Sequence, residues 1–121
     1  MIKRMPTHCG DDTCPSCVIA GDFIYLAHHA GGFDKNDVAH QMRKSFERMG
    51  KTLGAAGASL GDMVQINLYL NDLSHFGSAR EVFYEFFEKD CCPARMTLTS
   101  DFLDSACLCM IDGVAYKPSA K

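Results

Sequence analysis

From Asn36 to Ala56 the apolar residues Val38, Met42, Phe46, Met49 and Leu53 recur at spacings of four, four, three and four. Soon afterwards the period falls to two, as Val64, Ile66, Leu68 and Leu70 alternate with Met63, Gln65, Asn67 and Tyr69. A period near 3.6 lays one apolar stripe along a helix, and a period of 2 gives a strand one face better buried than the other. Such neighbours bury their apolar surfaces by packing helix on sheet. The helix should be capped by Asn36 or Asp34 and stop at Gly57. Gly50 inside it costs about 1 kcal/mol relative to alanine, so it reads as a point of close packing.

The flanking segments extend this pattern. Val18-Ile19-Ala20-Gly21-Asp22-Phe23-Ile24-Tyr25-Leu26 sets two β-rich runs around a Gly-Asp pair, the composition of a two-residue hairpin. Strands are expected near 16–20 and 23–29. Helical spacing returns from about Leu73 to Lys89 through Phe76, Ala79, Val82, Phe83, Phe86 and Phe87, and two further strands are expected near 94–100 and 107–116. The order strand, strand, helix, strand, helix, strand, strand gives one α+β domain over residues 1–121, a two-layer sandwich with both helices on one side of a sheet. Apolar residues occupy both faces of the last strand, Cys107, Cys109 and Ile111 against Leu108, Met110 and Val114. The helix-free face would be sticky alone; self-association covers it and makes a subunit interface a natural ligand site.

Composition excludes several functions. A net charge of -3 and a pI near 5.9, with no basic cluster larger than Arg43-Lys44, do not suit a surface built to neutralise phosphates, so nucleic acid is not an expected partner. MIKRMPTHCG lacks an apolar run behind its charges, and no stretch is long enough to span a bilayer; a soluble cytosolic protein without a membrane partner is expected. Seven cysteines without a leader read as reduced thiols, several of them buried. CPSC at 14–17, with His8 and Cys9 nearby, has the form of a zinc or redox pair. A second such pair is missing, because Cys91 and Cys92 are adjacent, and no helix begins at Cys14. Neither a metal nor a cofactor is expected, and Cys107 and Cys109 read as packing.

The chemically distinctive stretch is CCPARMTLTS, residues 91–100, where Arg95 opens what reads as a buried strand. An arginine at a strand end usually sends its head to solvent while its stem packs. Here Pro93 directs the chain, Ala94 is too small to shield the site, and Met96 and Leu98 are apolar. A planar fork in that setting suits the clamping of a carboxylate through two parallel hydrogen bonds.

CCPARMTLTS, followed by CLCMIDGVAY, resembles the C-terminal signature of the RidA (YjgF) family, in which Pro-Ala-Arg opens a strand. GDFIYLAHHAG lies where that family has its hairpin and Ser-Gly-Gln turn; AAGASLGDMVQINLYLNDLSHF and REVFYEFF are similar to its central strand block and second helix. The resemblance covers the chain from about Cys14. It implies a chorismate-mutase-like (ferredoxin-like) α+β subunit with a mixed sheet, assembled as a homotrimer with ligand pockets between subunits. It also implies hydrolysis of 2-imino or enamine acids to 2-oxo acids and ammonia, without metal or cofactor. Arg95 would hold the carboxylate of the small ligand, helped by Thr97.

The departures are specific. The family's water-positioning glutamate falls on Met110, which can neither orient nor deprotonate water. Asp112 is on the same strand face but roughly 7 Å further along. The family's N-terminal tyrosine aligns with Cys14, its Ser-Gly turn with Ala27-His28, and an asparagine of its second helix with Arg80. An inward-turned Arg80 would favour a more acidic ligand; an outward one merely flanks the core. His28 is the best replacement base, since histidine exchanges protons near neutral pH. The resemblance therefore leaves a deaminase beside a non-catalytic carboxylate-binding or sensor protein of the same family. Ribonuclease activity, reported for some relatives, is disfavoured by the acidic charge balance.

Overall fold

The computed structural model describes residues 1–118. Its elements are β1 (Ile2–Arg4), β2 (Cys17–Ala20), β3 (Phe23–His29), α1 (Val38–Ala55), β4 (Met63–Leu70), α2 (Phe76–Phe86), β5 (Ala94–Thr99) and β6 (Cys109–Tyr116). They form one six-stranded mixed sheet in the order β1-β2-β3-β6-β4-β5. Only the β4–β5 pair is parallel, and α2 is the crossover that a parallel connection requires.

Both helices cover one face, as the two periods predict. Met42, Phe46, Met49 and Leu53 of α1 are fully buried in one cluster with Ile66, Leu68 and Leu70 of β4 and Cys109, Ile111 and Ala115 of β6. Phe46 ties the helices together, its ring edge-on to Phe83 at 5.1 Å and stacked on Phe86 at 4.9 Å. On the opposite face Phe23, Tyr25, Met96, Leu98 and Tyr116 remain 40 to 61% exposed, so the expected uncovered apolar surface is present.

Local details differ from expectation. The α1 cap is Asp37, whose side chain accepts from the Ala39 amide, not Asn36 or Asp34. The helix does stop at Gly57, which takes φ +84°, while Ala58 N donates to Leu53 O at 2.8 Å and Gly57 N to Gly54 O at 3.1 Å; this is the paired closure for which glycine is favoured. Gly50 is not a close-packing point, because an added Cβ would lie 3.8 Å from Leu60, an ordinary van der Waals distance. Strand β1 was not foreseen, since three exposed residues, two of them charged, carry no periodicity. The last strand starts at Cys109, leaving Cys107 buried ahead of it.

The strand opened by Arg95 is also not buried. β5 pairs only with β4, so most of its residues are exposed and only Thr97 is partly covered. By contrast, Gly113 in the middle of β6 has no space around it. An added Cβ would collide with the Gln65 carbonyl and with the Met63 methyl, where an irregularity between Met63 and Gln65 in β4 pushes backbone toward β6.

Candidate functional site

Arg95 stands opposite Ile66 in the β4–β5 register, and Thr97 opposite Leu68. Both therefore lie on the helix-covered side of the sheet, at its open edge. The Arg95 guanidinium carbon is 5.4 Å from the Phe76 ring centroid and 5.2 Å from that of Phe83, and Nε donates to Thr97 Oγ1 at 3.0 Å. Cation–π contact and the Thr97 bond hold the fork in place. Its two terminal nitrogens have no hydrogen-bond partner among the described residues, so the bidentate edge is free and faces outward.

A second group gathers on the other side. Met110 pairs with Tyr69 across β4–β6, on the helix-free face with Asp112. Met110 also lines a cavity of about 220 Å³ with His8, Cys9, His28, Cys107, Arg48 of α1 and the loop residues Phe102 to Asp104. Gln41 anchors that loop from within the core: its Nε2 donates to Ala106 O at 3.0 Å and its Oε1 accepts from Leu108 N at 2.8 Å. Burial and the neighbouring His8 hold His28 below the ordinary histidine value, opposed by Asp112. Both Asp112 oxygens are occupied, Oδ1 accepting from Asn67 Nδ2 at 2.8 Å and Oδ2 from the Tyr69 hydroxyl at 2.9 Å. Each Asp112 oxygen therefore already accepts one hydrogen bond from β4.

Of the positions singled out from the sequence, Met110 and His28 meet in this cavity, and Arg95 and Thr97 meet at the β5 edge. Cys14 does not line the cavity; burial raises its thiol pKa, and Cys9 is its neighbour. Arg80 turns to solvent within this chain, bonded to Glu81 at 3.2 Å and to the Tyr84 hydroxyl at 3.0 Å. A larger cleft of about 430 Å³ between the N-terminal segment and α1 holds none of Arg95, Thr97, Arg80, Met110, His28 or Cys14. Among the described residues no three His, Cys, Asp or Glu side chains are placed to hold a metal ion, and no helix is long and apolar enough to cross a membrane.

Comparison with known proteins decides the family. A family model described as endoribonuclease L-PSP matches residues 15–117. The chain belongs to the RidA/YjgF family. A RutC family protein of Pyrococcus horikoshii is 33% identical over 104 residues, 81% of this chain and 82% of that protein. TdcF of Escherichia coli K12, provisionally named a reactive intermediate deaminase, is 36% identical over 53 residues, 44% of this chain and 41% of its own. The crystal structure of RidA from an Antarctic Psychrobacter superposes with a TM-score of 0.79 at 28% identity, covering 93% of this chain and 94% of that one. The α+β, chorismate-mutase-like sandwich is thus the fold of this RidA/YjgF member.

Within that family frame, sequence reasoning missed two parts of the cavity wall. His8 and Cys9 entered only as zinc candidates, because the segment that carries them has no period. Phe102 and Leu103 lie in a loop whose position is set by Gln41, a polar residue within the apolar periodicity of α1. A buried glutamine in a core helix is itself the signal, since its amide must find partners.

Proposed function

We propose that the chain is the single-domain subunit of a RidA-like homotrimer that hydrolyses 2-imino or enamine acids to 2-oxo acids and ammonia in a pocket between subunits. The observation that carries this reading is the free bidentate edge of Arg95, fixed over Phe76 and Phe83 on an exposed edge strand. Met110, which lines the cavity with His28, stands on the opposite face of the sheet from Arg95, so the arginine of one subunit would meet the cavity of the next. The uncovered apolar face around Tyr25, Met96 and Tyr116 supplies a surface for that assembly.

In this site Arg95 clamps the carboxylate and places the imine carbon against a water held in the cavity. Hydrolysis of an imine is intrinsically easy, and orientation alone contributes on the order of several kcal/mol. Thr97 steadies the arginine, and Met110 supplies an apolar wall.

One observation favours a second reading, a carboxylate-binding or sensor protein without turnover: Met110 stands where the family places its glutamate. Ammonia release from 2-iminopropanoate generated in situ separates the two. The deaminase reading expects wild-type turnover that Arg95→Ala abolishes. Turnover seen only in Met110→Glu, with 2-oxobutanoate binding intact in wild type, would establish the binding protein instead.

A further inference from the structure

His8, which lines the cavity beside Met110 and also the cleft against α1, carries an imidazole nitrogen with nothing to bond among the described residues. His8 Nε2 is hydrogen-bonded to the His28 carbonyl oxygen. A carbonyl only accepts, so Nε2 carries the hydrogen, and the lone pair of the neutral ring is at Nδ1. That Nδ1 is buried and has no partner among the described residues. The ring is clamped in this orientation, stacked on His29 at 4.3 Å and tilted against His28 at 5.4 Å between centroids.

Buried polar atoms are nearly always satisfied, and one that finds no protein partner is the natural seat of a water. We propose that His8 Nδ1 binds the hydrolytic water and acts as its general base, in the place that the family's glutamate would otherwise fill. The proposal rests on the deaminase reading. His8 serves better than His28 because its tautomer is set by a backbone carbonyl, the base-and-orienter arrangement that catalytic bases use. His29 does not compete: both its nitrogens are bonded, to Ala27 O and Thr52 Oγ1. Its pKa, about 4, leaves the stacked ring uncharged at neutral pH.

The step balances without a redox partner. Water adds to the imine carbon while its proton passes to Nδ1, and the C=N π pair moves to nitrogen, giving a carbinolamine. Nδ1 returns that proton to the nitrogen, then takes the proton of the carbinolamine hydroxyl and passes it to the same nitrogen. The freed O–H pair forms the C=O bond of the 2-oxo acid as the C–N bond breaks, and the nitrogen leaves as ammonia.

His8→Gln tests this, because the glutamine amide can still donate to the His28 carbonyl but has no base at the Nδ1 position. The expected result is a kcat for 2-iminopropanoate at least about 100-fold lower, with 2-oxobutanoate affinity and assembly mass unchanged, and partial recovery of His8→Ala by added imidazole. A His8→Gln kcat within about threefold of wild type, with Arg95→Ala inactive, would overturn the role of His8 and leave the deaminase reading standing. A wild type that releases no ammonia would overturn both. Unchanged 2-oxobutanoate binding separates loss of the base from loss of the fold.

Discussion

Arg95 and Met110 lie on opposite faces of the same sheet, with β4 between their strands: Arg95 pairs with Ile66 on the helix-covered side and Met110 with Tyr69 on the bare side. Fifteen residues apart in sequence, they cannot line one pocket within one chain. A site that uses both must be assembled from two copies. Mixing Arg95→Ala subunits with Met110→Trp subunits, each inactive alone, should therefore restore about a quarter of the sites by random pairing around a cyclic assembly. Ammonia release after mixed refolding measures it, and no recovery would show that no single site uses both residues.

His29 sets an acid limit on stability. It is 1% exposed, and burial holds its pKa at about 4. The unfolded residue takes up a proton near 6.5, so between pH 6.5 and 4 the unfolded state binds more protons and stability falls as pH drops. Above that window the full stability is present. His29 alone should remove about 2 kcal/mol between pH 7 and pH 5, and His28, also held low, acts in the same direction. Urea unfolding at the two pH values checks this, with His29→Phe flattening the difference.

Gly113→Ala should destabilise the fold by about 1–3 kcal/mol or prevent folding. The new methyl would meet the Gln65 carbonyl, which belongs to the backbone of β4 and has nowhere to move. Chemical denaturation, or the yield of folded protein, reads the effect.

Gly50→Ala is expected to do the opposite. The site is helical and an added Cβ meets only Leu60 at 3.8 Å, so the substitution should stabilise by about 1 kcal/mol. Thermal melting at neutral pH should give a higher Tm, with ammonia release unchanged.

The sequence by itself determined both helices, every strand except β1, and the layer the helices share. The period of α1 and the alternation of β4 each depend only on residues a few positions apart, so they could be read without any knowledge of the fold. Arg95 was also legible, since a charge beside Pro93 amid apolar neighbours is anomalous locally. Tertiary structure alone decided that β5 is an open edge and that Gln41 anchors the segment ahead of β6. It alone brought His8, from an aperiodic segment, onto His28 and His29. These features arise from contacts between residues far apart in sequence, and neither period nor composition encodes which distant partner a side chain or a strand edge will meet.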